Sequence, residues 1–163
     1  MPAHLSSRVS ARTARLWLPA AAAALAVESA LPRREGAAQM RPPKRIVVSV
    51  GQQSMWAYER DVIVLSSLVS TGKAGFGTPL GRFQILTKYE SQTMAGTLQG
   101  ETYNIPDVPD VMYFTNQGHA LHGCYWHSNF GTPMSHGCVN LPLDVAATLF
   151  NWAPVGTPVV VVQ

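Results

Sequence analysis

Arg45-Ile46-Val47-Val48-Ser49-Val50 and, twelve residues on, Val62-Ile63-Val64-Leu65-Ser66-Ser67-Leu68-Val69 decide the fold class. Both runs are rich in β-branched residues and too short for stable helices, so each reads as a strand. Gln53–Tyr58 reads as another strand between them, turning through Glu59-Arg60-Asp61 into the second run. Working outward, Ser70–Gly81 packs four glycines and a proline into twelve residues, which is a shaped loop and not regular structure. Arg82–Leu86, Val111–Thr115, His119–His122 and Val159–Val162 read as further strands. Residues 87–110 are polar, with Gly96, Gly100, Pro106 and Pro109, and read as a long covering loop. One helix is expected between Pro142 and Pro154. Proline suits its start, Asp144 complements the dipole, and Val145, Leu149 and Trp152 share a face. The expectation is a mainly β domain, a sandwich or a closed barrel-like mixed sheet with one short helix.

Composition agrees with a globular domain. Of 163 residues, 47% are hydrophobic and 13% charged, which supplies a core and excludes a disordered polyelectrolyte. The net charge of +3 separates into two parts. Residues 1–45 carry eight bases against two acids, whereas residues 46–163 carry four bases against seven acids. The globular part is therefore acidic and gains nothing from phosphate counterion release, so nucleic acid is not an expected partner.

Arg8, Arg12 and Arg15 precede the apolar run Leu16–Val27, a pattern of secretory leaders that is shorter than a membrane span. Residues 1–30 are expected to be a signal peptide or signal anchor, with cleavage after Ser29 or Ala38. Two alternatives stay open: an uncleaved anchor, which would be the only membrane attachment, and a true start at Met40. Residues 31–44 read as a linker and 45–163 as the catalytic domain.

The chemistry concentrates in His122-Gly123-Cys124-Tyr125-Trp126-His127-Ser128-Asn129-Phe130-Gly131-Thr132-Pro133-Met134-Ser135-His136-Gly137-Cys138-Val139-Asn140-Leu141, which holds both cysteines and three of five histidines. Three readings compete. Cys138 can be a nucleophile, with Gly137 turning backbone N–H groups toward a substrate carbonyl, His122 as base and the Gly123 carbonyl orienting the imidazole. Its place four residues before Pro142 puts it just ahead of the expected helix N-terminus, which would favour a thiolate. Alternatively the cysteines and histidines bind zinc, although no Cys-x-x-Cys or His-x-x-x-His pair occurs. In the third reading Cys124 and Cys138 form a structural disulfide.

Ser135-His136-Gly137-Cys138-Val139-Asn140, with the upstream His122-Gly123, resembles the signature of the YkuD-type L,D-transpeptidases. Thr78-Pro79-Leu80-Gly81-Arg82-Phe83, Val69-Ser70-Thr71-Gly72 and Tyr125-Trp126-His127 through Phe130-Gly131 resemble further segments of that family, in matching order, across Arg45 to Val162. The resemblance implies an extracytoplasmic enzyme of the bacterial envelope that cross-links peptidoglycan. A cysteine thiolate takes up a tetrapeptide stem as a thioester, D-Ala leaves, and a diamino-acid side chain on a neighbouring stem accepts the acyl group. No metal and no organic cofactor is implied. Peptidoglycan stem peptides are the implied partners and carbapenem β-lactams the implied inhibitors.

Carried over, Cys138 matches the nucleophile, His122 the proton donor and acceptor, and Gly123 the orienting carbonyl. His136 and Gly137 match the motif's middle. Asn140, Ser135, Gln117 and Gly118 match substrate-contacting or loop-bracing positions. Only twelve residues separate His122 from Ser135, which implies a compact covering loop. Cys124 lies outside the motif and could form an inhibitory disulfide with Cys138. His127 is a weaker candidate base than His122. A non-catalytic wall-binding domain on the same scaffold and a zinc hydrolase are the alternative functions.

Overall fold

The computed structural model describes residues 44–163. The expected leader and nearly all of the expected linker lie outside the described residues; Lys44, read as the linker's end, opens the first strand. Chain order is β1 (Lys44–Ser49), β2 (Ser54–Glu59), β3 (Val62–Leu68), β4 (Gly81–Gln84), β5 (Thr87–Leu98), β6 (Glu101–Tyr113), β7 (Ala120–Gly123), β8 (Val139–Leu141), α1 (Leu143–Trp152) and β9 (Pro158–Val162). The strands form two mixed sheets, ordered β3-β2-β1-β9-β4 and β5-β6-β7-β8, and not one closed barrel.

Strand alternation builds the core. Ile46 and Val48 of β1, Met55 and Ala57 of β2, and Val159 and Val161 of β9 point inward at successive alternate positions. They meet Met112, Phe114, Leu121, Val139 and Leu141 from the second sheet, with Ala146, Leu149 and Ala153 of the helix segment. Each fully buried Val, Leu, Ile or Met contributes about 1.5–3 kcal/mol. Pro142 occupies the N-cap of α1, one residue earlier than the first-turn place expected for it, and Pro154 follows the C-cap Ala153. The helix approaches β7 closely: a Cβ on Gly123 would stand 3.2 Å from Leu143 and 3.4 Å from Ala146. Among the described residues no helix is long and apolar enough to cross a membrane.

The expected loop at 87–110 is instead a long hairpin, β5 paired antiparallel with β6. About half of its residues are exposed, and the half-buried face of its outer part carries Gln92, Met94, Gly96, Tyr103 and Ile105, a mixed set that gives only a weak apolar alternation in the sequence. Its two prolines also pointed away from regular structure. Pro106 is accommodated because the register shifts between Gln92 and Met94, where Pro106 and Asp107 oppose Thr93 alone, with Asp107 at φ +48°, whereas Pro109 stays in register opposite Ser91. The tip is a two-residue turn, Gln99-Gly100, with φ of +49° and +84°, which matches the twist of the paired strands.

Candidate active site

Parallel pairing of β7 with β8 sets Leu121 beside Val139 and His122 beside Asn140. Paired residues project from the same side of a sheet, and Cys138 ends the loop that leads directly into β8. His122 on β7 and Cys138 just ahead of β8 are thereby carried by adjacent chain segments. Both side chains line one cleft of about 500 Å³.

His122 is 2% exposed. Its Nδ1–H donates to the Gly123 carbonyl at 2.9 Å, which leaves the lone pair on Nε2. Burial pushes the imidazole down to about 4; the Gly123 bond opposes this, and the nearby His127 adds to it. Cys138 is pushed up to about 11 by burial, against a smaller contribution from the Ala120 amide. Its Sγ points at the Gly118 carbonyl, 3.8 Å away. At neutral pH the resting pair is thiol and neutral imidazole. This corrects the expectation of a thiolate stabilised at a helix N-terminus. Strand β8 intervenes between Cys138 and α1, spanning roughly 10 Å of extended chain at about 3.3 Å per residue, beyond the reach of the first helical turn.

The segment after β3 braces the loop that carries Cys138. Ser70 and Asn140 exchange backbone hydrogen bonds, the Met134 and Ser135 amides donate to the Thr71 carbonyl, and the Lys73 amide donates to Ser135. The Thr78 hydroxyl donates to the Gly137 carbonyl at 2.9 Å and accepts the Gly72 amide at 2.9 Å. Gln53 is buried at the foot of this segment, donating to the Val50 carbonyl and Thr71 hydroxyl and accepting the Thr71 amide. Only glycine fits at 72, where a Cβ would lie 1.9 Å from the Phe76 carbonyl oxygen.

Ser135 is a brace: its hydroxyl donates to the Cys138 carbonyl at 2.6 Å and accepts the Gly137 amide at 3.1 Å. The Gly137 N–H, expected to face a substrate carbonyl, is therefore engaged within the loop. Gly137 at φ +114° instead permits a tight turn against His119, whose ring lies 2.8 Å from where a Cβ would be. The Cys138 amide has no acceptor among the described residues.

His136 lines the same cleft as Cys138, with its ring packed against the hairpin. It stacks on Tyr103 at 5.2 Å, meets Phe76 edge-on at 4.7 Å, and its Nε2 is 2.8 Å from Glu101. Glu101 also accepts from Lys73 at 2.5 Å, and these two bonds, Lys73 first, hold its carboxyl below the ordinary range. Gly96, opposite Tyr103 in the hairpin register, leaves room for that ring. The hairpin thus covers the cleft with Met94, Tyr103 and Ile105, while Gln117 and Gly118 line the side nearest the sulfur.

Cys124 and Cys138 are free thiols. Cys124 is buried with its Sγ 3.8 Å from the His127 carbonyl, which places it in a different contact from Cys138 and corrects the disulfide reading. Among the described residues no three His, Cys, Asp or Glu side chains converge as a metal site requires.

Thr78, Gln53 and Glu101 carry much of this architecture and are not site residues of the sequence reading, whereas Tyr103, one of the aromatic residues the sequence offers for the groove, does line the cleft. Thr78 alone had a signal, as the first residue of the Thr-Pro segment.

The L,D-transpeptidase catalytic domain (YkuD) family model matches residues 43–161. L,D-transpeptidase 1 of Mycobacterium tuberculosis is 28% identical over 123 residues, which is 71% of this chain and 49% of that protein. The chain thus spans about half the length of that relative. The NMR structure of the catalytic domain from the E. faecium L,D-transpeptidase superposes with a TM-score of 0.67 at 33% identity, covering 72% of this chain and 95% of that one. The structure of LdtMt1 in complex with imipenem gives a TM-score of 0.70 at 26% identity, covering 74% and 59%. With His122, Ser135, His136, Cys138 and Asn140 lining one cleft beneath a covering hairpin, the chain belongs to the YkuD family of L,D-transpeptidase catalytic domains.

Proposed function

We propose that the protein is an exported cysteine L,D-transpeptidase that cross-links peptidoglycan. The observation that carries this reading is the cleft shared by His122 and Cys138, with the His122 Nε2 lone pair kept free by the Gly123 carbonyl. Nε2 takes the Cys138 proton as Sγ attacks the carbonyl carbon after the third residue of a tetrapeptide stem. The resulting oxyanion accepts from the Cys138 amide, the donor left without a partner in the loop. The C–N bond to the terminal D-Ala then breaks, and the proton on Nε2 passes to the departing amine. A side-chain amine of a neighbouring stem attacks the thioester, gives its proton to Nε2, and Sγ leaves as the thiol. One amide is exchanged for another, so the reaction needs no external energy source.

Starting from neutral partners, proton removal accompanies attack and does not precede it. Export is inferred from the basic-then-apolar pattern of residues 8–27. β-Lactams are expected to acylate the same sulfur, in keeping with the relative whose structure holds imipenem.

The deciding experiment is intact-mass analysis of the protein with a carbapenem under reducing conditions, followed by peptide mapping. One adduct on Cys138, absent from Cys138→Ala, supports the reading; an adduct on Cys124, or none, overturns it. Muropeptide analysis after incubation with a tetrapeptide stem should show the cross-linked product.

A further inference from the structure

His119 stands just ahead of β7, on the short segment that cradles the sulfur. The carbonyl of Gly118 before it faces the Cys138 Sγ at 3.8 Å, and the amide of Ala120 after it donates to the same sulfur. The edge of its ring packs on Gly137, where an added Cβ would lie 3.0 Å from Nε2. His119 lines the cleft with Cys138, and no step of the acyl transfer uses it.

Thr115 Oγ1 accepts the His119 amide at 3.1 Å and lies 2.8 Å from Nδ1. Thr115 is buried, and among the described residues its hydroxyl has no acceptor other than Nδ1, so it donates there. Burial lowers the imidazole pKa, so the ring is neutral at pH 7 and its single proton sits on Nε2. Nε2 has no partner among the described residues and, unlike Oδ1 of Asn140, is not closed off from solvent. An unused N–H donor therefore opens into the cleft.

Among the described residues that line the cleft, none is lysine or arginine, and three histidines are the only groups able to carry positive charge. His122 gives Nδ1–H to Gly123 and keeps Nε2 for the thiol proton, and His136 is paired with Glu101. Of the three, only His119 is left to meet an anion. A tetrapeptide stem brings one. The carboxylate of its terminal D-Ala is three bonds from the carbonyl carbon that Sγ attacks, so it enters the cleft close to the sulfur. A carboxylate that leaves water needs a donor in exchange, and an N–H bond to a charged acceptor is stronger than one to a neutral acceptor.

We propose that His119 Nε2–H receives the terminal carboxylate of the donor stem, and that His119 thereby selects stems with a free carboxylate beside the bond that breaks. The ligand rests on the transpeptidase reading; the exposed Nε2–H does not.

The test compares two substrates within each protein. Release of the terminal residue is followed by mass spectrometry for a tetrapeptide stem ending in D-Ala and for the same stem ending in D-Ala amide. In kcat/KM the wild-type full chain should prefer the free acid by about tenfold. His119→Phe should treat the two alike, within about twofold. His119→Gln, whose side-chain amide can donate from a similar place, should keep part of the preference. Because the ratio is taken within one protein, a general loss from disturbed packing on Gly137 cancels. Equal rates in the wild type, or a preference that survives His119→Phe, overturn the proposal. A wild-type protein that forms no carbapenem adduct on Cys138 fails as a transpeptidase, whereas one that forms the adduct and does not discriminate fails only here. Long-range ¹H–¹⁵N spectra of the wild-type full chain at pH 7 should show His119 as the Nε2–H tautomer, and an Nδ1–H tautomer overturns the proposal even if no stem is turned over.

Discussion

The carboxylate of Glu101 lies 2.8 Å from Nε2 of His136, and this contact ties the tip of the β5–β6 hairpin to the loop that ends in Cys138. Lys73 joins the same oxygen from the segment that braces that loop. Three chain segments distant in sequence thus meet at one exposed carboxylate.

Glu101→Gln is expected to loosen the cover without touching the reacting groups. Exposed ion pairs contribute little to global stability, so Tm should hardly move. KM for a stem peptide should rise by about threefold with kcat nearly unchanged, consistent with the small worth of such pairs. Amides around Gln99 and Gly100 should exchange faster by hydrogen-exchange mass spectrometry. A fall in kcat with KM constant would place Glu101 in the chemistry instead.

Because His122 is buried neutral, stability should depend on pH in a defined window. The unfolded chain binds a proton on this residue near 6.5, whereas the folded chain resists it down to about 4. Stability from this group is complete above pH 6.5 and is lost as pH falls toward 4, by about 3 kcal/mol at about 1.36 kcal/mol per pKa unit. Urea unfolding at pH 7, 5.5 and 4 measures it. His122→Gln should flatten that part of the profile.

Cys138, raised to about 11, should be a sluggish thiol in the absence of substrate. Iodoacetamide at pH 7 should alkylate it more slowly than free cysteine, because less thiolate is present. The rate should keep rising with pH beyond 9, where free cysteine levels off. Fast alkylation at pH 7 would indicate a preformed thiolate–imidazolium pair.

Gly72→Ala places a methyl against the Phe76 carbonyl in the brace of the Cys138 loop. It should cost more than about 2 kcal/mol, as steric overpacking does, and abolish turnover together with the drop in Tm. Wild-type stability in this variant would mean that the segment adjusts freely.

Ser135→Ala removes the hydroxyl that joins the Cys138 carbonyl to the Gly137 amide. The buried partners left unsatisfied should cost about 1–3 kcal/mol. Acylation of Cys138 should slow but persist, as expected of a brace. Complete loss of acylation in a folded variant would assign Ser135 a direct chemical part.

Much of this molecule is legible in its sequence because the information is local. The β-branched runs of β1 and β9 and the proline-bounded helix α1 follow from short-range pattern. The chemical types at His122 and Cys138 follow from the motif, since a thiol needs a base and a base needs an orienting acceptor. The sequence also shows glycine at 72 and 137, though not what crowds them. The hairpin was not legible, because its half-buried face mixes apolar residues with glycine and glutamine, so alternation is weak, and its turn, Gln99-Gly100, is a weak signal.

What tertiary structure alone decided is where polar groups end up and what surrounds them. Parallel pairing of β7 with β8 sets His122 beside Asn140, eighteen positions on, and both share a cleft with Cys138. Burial then inverts the expected ionisation, leaving thiol and imidazole neutral. The Gly137 amide is taken by Ser135, and Glu101 reaches across from the hairpin to His136. Sequence determined which atoms are available, because residue type sets what each can donate, accept or ionise. The fold determined which of them meet and how dry they are, because pairing register, solvation and hydrogen-bond competition depend on segments far apart along the chain.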